Sequence, residues 1–360
     1  MATFPSKVNY ATGDILTATN MNDVGGAINL LDGAQYAGAK NRVLNSNMAI
    51  AQRGTSNAIS TTVGSSYGVD RWLTYRSVAG STASQQSSIG LTGIQNALRI
   101  QRDSGNTSTA TIVCVQNFET FNSIPLAGKT VVFSFYARAG ANYSAASGNL
   151  AVYLWAGTGT DQKWATYTGQ TSPINSTATL TTSWQRFTYS ATLASTITEL
   201  APAFEFTPVG TAGANDYYEI TGVQLEAANT ASPYAPNSST YQNELAACQR
   251  YYLKSYAQAT APATASNTVG AFAFAAVNAT NTDNRANVRF PVNMRGTPTI
   301  TVYSSSTGTS AKIFNENTAT DLGGAAQFIG ESGFHAYVSS GSITGAGTVL
   351  IFHYVASAEL

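Results

Sequence analysis

The residues able to do chemistry are few, and their spacing is poor for catalysis. The two histidines, His335 and His353, both lie on alternating apolar stretches late in the chain. A Ser/His/Asp relay in the middle of the chain therefore has no base to draw on. Metal-ligand spacing of the HExxH kind is absent, and Glu316 and Glu331 are the acids nearest the histidines in sequence. Glycoside hydrolysis needs two carboxylates about 5 to 9.5 Å apart. Asp216 and Glu219 are three residues apart in a strand-like stretch and so point to opposite faces, while Asp161 and Glu205 are not placed by sequence. Gly157-Thr158-Gly159 lacks the further glycine and the helix that a phosphate loop requires. No catalytic residue, no cofactor site and no metal site are assigned.

Recognition chemistry is better represented. Sugars bind through flat aromatic faces laid on C–H surfaces, with amides and carboxylates reading the hydroxyls. Residues 153–167, YLWAGTGTDQKWATY, place two tryptophans around a glycine-rich polar loop. Trp155, Asp161, Gln162 and Trp164 are the candidate ligand residues. The competing reading is structural: Trp155 ends a strand and suits a core, Trp164 divides evenly, and Trp72 and Trp184 are read as core.

These residues must be held by β structure. Short runs at 96–102, 110–117, 130–138, 150–155, 185–191, 199–206 and 217–225 are separated by Gly, Asn and Ser turns. That pattern predicts an all-β sandwich. In the clearest run Val131, Phe133 and Phe135 share one face, and Val132, Ser134 and Tyr136 the other. Residues 41–51 alternate small polar with apolar types and predict a first strand, with Asp70-Arg71-Trp72 opening the next. After Pro233 and Pro236 a helix is expected, capped by Ser239 with Gln242. Its stripe of Tyr241, Leu245, Cys248 and Tyr252 suits either an interdomain stalk or a helix laid on a domain base. An Ala/Thr/Ser linker at 256–267 precedes further strands at 269–277, 286–292, 298–303, 311–314, 333–339 and 348–355. Near the start, Met21, Val24, Ile28 and Leu31 form a short helical seam, weakened by Gly25 and Gly26 at roughly 1 kcal/mol each.

Composition narrows the partners. Lys+Arg and Asp+Glu number 18 each, and only 10% of residues are charged, against about 25% in an average domain. No basic run is present to neutralise phosphates, so nucleic acid is not an expected partner. No basic and apolar leader follows Met1, no stretch approaches the ~18 apolar residues of a spanning helix, and membrane insertion is not expected. Cys114 and Cys248 are read as free buried thiols.

Several stretches carry a family resemblance. Asn41-Arg42, 45–47, Gln52-Arg53-Gly54-Thr55 and Asp70-Arg71-Trp72 are followed by Gly222-Val223-Gln224-Leu225-Glu226-Ala227, by Ala231-Ser232-Pro233-Tyr234 and by 241–252, YQNELAACQRYY. Together they resemble the carbohydrate-binding-module-like sandwich and following helix of bacteriophage tail fibres. The runs 126–138 and 183–187 are similar to the same domain, 290–302 to a terminal β-domain of such fibres, and 11–40 with GDILTATNMND to their helical stem. The resemblance implies a mainly β chain in four parts: a stem at 1–40, a jelly-roll-like β-sandwich at 41–236, a connecting helix at 237–256, and a C-terminal β-sandwich at 257–360 as the distal receptor-binding tip. It implies a non-catalytic virion protein made in the host cytoplasm. The stem would meet other phage tail or baseplate proteins, and the partner outside would be host surface polysaccharide or lipopolysaccharide. A depolymerase tailspike, or a baseplate or capsid decoration protein sharing the sandwich, are the rival readings. Modules of this kind often hold a structural calcium, but Met48-Ala49 replaces the expected aromatic-acid pair, so no calcium is assigned.

The two helical stripes predict a parallel homotrimer with its first residues toward the particle. Sedimentation should show three chains travelling together, and a stable monomer at micromolar concentration would refute it.

Overall fold

The computed structural model describes residues 40–62, 66–280 and 283–360. The stem at 1–39 and its seam lie outside the described residues. Two six-stranded sheets form the first unit. One contains β1 (Ser56–Ala58), β4 (Ser81–Leu91), β5 (Ile94–Arg102), β12 (Tyr217–Ala227), β7 (Thr130–Ala139) and β10 (Gln185–Thr192) in that order. The other runs β2 (Ser66–Val69), β3 (Trp72–Arg76), β6 (Ile112–Val115), β11 (Glu199–Phe206), β8 (Asn149–Gly157) and β9 (Thr171–Thr179). The pairings within these sheets are antiparallel among the described residues, as alternating strands without crossover helices require.

The two sheets close over one core. Val131, Phe133 and Phe135 of β7 face inward as the alternation predicts. Phe204 of β11 meets them from the opposite sheet, 4.7 Å edge-on from Phe135 and 5.7 Å from Phe133, and Trp72 lies 6.1 Å from it. Gly222 sits at φ +57° where β12 is bulged, and a Cβ there would stand 2.8 Å from Ile94 and 2.9 Å from Tyr136. Only glycine satisfies both the left-handed backbone and the close approach. Both cysteines are buried free thiols.

Two expectations about the ends of the sandwich are corrected. Residues 41–51 form no strand. Asn45 and Met48 adopt positive φ, and Val43, Asn45, Met48 and Ile50 are all fully buried, so the alternation does not separate two faces. The Asn45 side chain takes over the role of a strand partner: its Oδ1 accepts from Ile50 N (2.9 Å), and its Nδ2 donates to the carbonyls of Ile50 (2.8 Å) and Asp70 (2.9 Å). The second correction concerns the helix. After a short α1 (Thr120–Ser123), α2 spans Tyr241–Gln249, and Thr240 rather than Ser239 caps it, accepting from Asn243 N at 3.3 Å. Leu245 and Cys248 pack on Ile50, so this part of the stripe is laid against the base of the sandwich, while Tyr241 stays exposed.

The second unit begins before the expected linker. Tyr252–Lys254, read as part of the connecting helix, is β13 and pairs with β20 (Val349–Ser357). Together with β14 (Phe272–Ala275), β15 (Arg285–Arg289), β16 (Thr299–Ser304), β17 (Lys312–Asn315), β18 (Thr320–Gly330) and β19 (Gly333–Ser340), they make one eight-stranded sheet. Its core holds Leu253, Val288, Ile313, Phe334 and Phe352. The unit expected as a second sandwich is therefore one connected sheet folded over a single core. The strands 81–91, 171–179 and 320–330 were not foreseen, because Ser, Thr, Gly and Ala dominate them.

The two units meet through buried charge. Glu359 pairs with Arg53 (2.9 Å) and with Arg71. Asp70 accepts from Gln52 N (3.1 Å) and Nε2 (2.5 Å), and the same Nε2 donates to Tyr252 O at 2.7 Å. Arg53 lies over the ring of Tyr252 (3.6 Å) and Arg71 over that of Tyr251 (3.5 Å). Alongside, Glu119 accepts from Arg250 Nε at 3.0 Å and from the Tyr251 hydroxyl.

Burial pushes the Asp70 carboxyl up to about 6, against the pull of Arg53 and Gln52. An unfolded aspartate titrates near ~3.9, so between about pH 4 and pH 6 the folded chain holds more protons than the unfolded one. The stabilisation is complete below the unfolded value and is lost as pH rises through the folded one. Urea midpoints across that window should fall less steeply in Asp70→Asn than in the parent. Parallel curves would contradict the assignment.

Candidate functional site

The outer face of the second sheet is aromatic. Strand pairing lines up Tyr67, Leu73, Val115, Ala203, Tyr153 and Asn175 in one row across β2, β3, β6, β11, β8 and β9. A neighbouring row carries Tyr75, Val113, Glu205 and Ala151. Trp155 pairs with Ala201. Small alanines on the central strand β11 keep the middle of the face low, while Tyr153 and Trp155 rise beside it as a stacked pair, 4.7 Å apart and 15° from parallel. Trp164, from the loop after β8, and Tyr75, from β3, complete a set of half-buried rings on this face.

Orientation follows from burial. The indole nitrogens of Trp155 and Trp164 and the Tyr167 hydroxyl are buried with no acceptor among the described residues. What these tryptophans show to solvent is therefore ring surface. Glu205 is the acid of the face, half-buried among Val113, Ala151 and their neighbours. Burial pushes its carboxyl up, and burial together with that charge pushes the Tyr153 phenol up. One end of the face is closed by the second unit, where the Tyr67 hydroxyl reaches Leu360 O at 3.4 Å and Arg53 lies 4.3 Å from its ring.

Of the four residues singled out by sequence, the structure brings Trp155 and Trp164 onto this face. Asp161 and Gln162 brace the loop instead. Asp161, at φ +50°, accepts from Thr120 N through Oδ1 (2.8 Å), donates its own N–H to Thr120 Oγ1 (2.9 Å), and sets Oδ2 3.7 Å from Arg295 of the second unit. Gln162 Oε1 accepts from Thr168 N (2.7 Å), and its Nε2 donates to Thr168 Oγ1 (3.0 Å). Beneath them the fully buried Glu199 accepts from Gly159 N (3.1 Å) and Gln162 N. Sequence reasoning missed Tyr75 and Tyr153 and left Glu205 unplaced. The alternation on each strand was visible, but the pairing that gathers one parity from several strands was not.

Other acids are committed elsewhere. Asp216 binds Arg102 (2.8 Å) and Ser144 (2.8 Å), and Glu219 divides its oxygens between Arg99 (2.6 Å) and Arg138 (2.6 Å), all inside the first sandwich. With both oxygens of Glu219 taken by guanidinium groups, the residues present do not fit a structural calcium there. No group of three or more His, Cys, Asp and Glu able to hold a metal occurs among the described residues. His353 is structural: its ring stacks on Tyr256 at 3.8 Å, with Ser255 Oγ at 2.9 Å and Asn267 O at 3.0 Å. Polar side chains of the C-terminal unit's loops, within 278–287 and 304–310, also bond inward. Asn284 accepts from Val277 N (2.7 Å) and donates to Thr280 O (2.7 Å), and Ser304 donates to Asp321 (2.5 Å).

No family model matches the chain, and no curated protein sequence matches it. Solved structures with a similar course include a CBM4 structure, 18% identical over 51% of this chain and 98% of its own, with a TM-score of 0.33. The enzymatically active domain of tailspike protein 4 of bacteriophage CBA120 is 10% identical, over 53% of this chain and 22% of its own, at a TM-score of 0.33. A CBM22-2 xylan-binding domain from Paenibacillus barcinonensis is 15% identical over 44% of this chain and 92% of its own, at 0.28. Likeness at this level carries no argument about ligand or partner.

The brace under the loop is testable. Glu199→Ala leaves two buried N–H groups without their acceptor, each worth about 1–3 kcal/mol. Amide exchange at 159–168 should quicken while that of Val113 and Val115 stays slow. Unchanged exchange at the loop would show that Glu199 does not hold it.

Proposed function

We propose that this chain is a non-catalytic glycan-binding protein whose ligand lies along the outer face of the second sheet. The observation that carries this reading is the set of half-buried rings, Tyr75, Tyr153, Trp155 and Trp164, around a low alanine floor with one carboxyl, Glu205. Ring faces cover the C–H surface of a pyranose, and a single acid beside them can accept from hydroxyls. The stacked Tyr153–Trp155 pair is rigid, so little side-chain entropy is lost on binding. Glu205 faces Val113 and Ala151 across the register rather than a second carboxylate, which favours binding over glycosidic cleavage.

The biological setting we propose is a bacteriophage tail fibre that attaches the virion to a host surface polysaccharide or lipopolysaccharide, as a homotrimer joined to other tail proteins through its first residues. Support for this comes from the motifs 41–55, 70–72, 222–227 and 241–252. In this reading the ligand face belongs to the middle sandwich rather than to the loops of the C-terminal unit, since those loops spend their polar groups on themselves.

Trp155→Ala and Tyr153→Ala should each weaken binding of purified host polysaccharide at least about tenfold, near 1.4 kcal/mol, with the thermal transition kept. Incubation with that polysaccharide should release no new reducing ends. Sustained release would replace the binding reading with a depolymerase, and undiminished binding by both variants would remove the ligand from this face.

A further inference from the structure

One cavity of the sandwich lies on neither face of the second sheet. It is a recess of about 540 Å³ between the β4–β5 hairpin tip, the buried segment around Asn47, and the chain that leads into α2. Such a volume falls in the range of small-ligand sites, about 300–1,000 Å³. Its lining is mixed, with Gln95, Asn96 and Tyr241 among the polar groups and Leu91, Ile94 and Pro236 as the apolar part. Tyr241 keeps 56% of its surface exposed, an unusual state for a ring flanking a cavity.

The geometry points to a second saccharide site in this recess, one that takes a single neutral sugar unit. Neutrality follows from the lining. No lysine or arginine borders the recess among the described residues, and its one carboxylate, Glu244, is already engaged by the N–H groups of Asn45 and Ser238 (3.2 Å). An acidic sugar would meet that buried carboxylate with no cation to offset it. A purely apolar ligand would leave the Gln95 and Asn96 amides without partners. A pyranose offers hydroxyls in several directions and one C–H face, matching amides on the walls and the Tyr241 ring at the mouth. Where the sheet face suits an extended chain laid across rings, the recess suits one residue inserted end-on. The site stands on its own observations and does not depend on the sheet-face reading.

Saturation-transfer NMR on the full chain tests it, with methyl α-D-glucopyranoside, methyl β-D-galactopyranoside and N-acetylglucosamine as probes and glucuronate as the anionic control. At least one neutral probe should receive transfer that falls about tenfold in both Tyr241→Ala and Asn96→Ala and persists in Trp155→Ala. The exposed Tyr241 ring can be removed without disturbing the core, so that variant should melt as the parent does and keeps the test valid if Asn96→Ala folds poorly. Transfer abolished only by Trp155→Ala would assign all binding to the sheet face and overturn the recess. Absence of transfer from every neutral probe, or equal transfer from glucuronate, would overturn it as well.

Discussion

Everything in this chain hangs on a buried polar knot at the base of the first sandwich. Asn41 donates to Val223 O (2.9 Å) and Ala235 O (3.0 Å), and its Oδ1 accepts from Val43 N (3.0 Å). Asn45 holds Ile50 and Asp70 while its own N–H goes to Glu244 of α2. Gln52 links Asp70 to Tyr252, and Arg53 and Arg71 converge on Glu359. Each of these groups is costly to bury alone and is tolerated because it is partnered, although Gln52 Oε1 and Arg71 Nε are buried without a partner among the described residues. Several stretches that carried the family resemblance, 41–42, 45–47, 52–55 and 70–72, supply this knot. Their residues are fixed by the need to satisfy one another, which explains why they marked the fold and said nothing of a ligand.

The parts of the structure legible in the sequence were those governed by local period. β7 showed its core parity because Val131, Phe133 and Phe135 alternate cleanly with Val132, Ser134 and Tyr136. The segment 41–51 showed an equally clean alternation and is not a strand, since a polar residue there is as buried as an apolar one. Period cannot distinguish a side chain that faces water from one that bonds the backbone five residues on, as Asn45 does. The aromatic face was half legible for a related reason. Trp155 and Trp164 were found because they are close in sequence, whereas Tyr75 and Glu205 join them only through pairing across β3, β6, β11 and β8. Asp161 and Gln162 looked like ligand readers because a polar loop between tryptophans does not reveal which of its side chains the backbone will claim.

The low content of charge takes on meaning beside these arrangements. Several acids of the sandwich are paired inside it, among them Asp216 with Arg102, Glu219 with Arg99 and Arg138, and Glu226 with Lys40 (3.0 Å) and Ser232. Internal bookkeeping of this kind leaves an outer surface of hydroxyls, amides and rings. Such a surface is weakly responsive to salt. Its contacts are short-ranged and directional, and encounter with a partner gains little from electrostatic steering.

The passage of the chain from α2 into β13 without a free linker has a mechanical consequence. Tyr252–Lys254 is hydrogen-bonded into the second sheet while Leu245 and Cys248, a few residues earlier, are packed into the base of the first. A short tether anchored at both ends cannot act as a hinge. Torque applied to either unit is shared at once by the β13–β20 bonds, the two guanidinium pairs on Glu359 and the Glu119 clasp on Arg250. The two bodies therefore turn together as a strut, and a sideways load on the far loops of one is delivered undiminished to the root of the other.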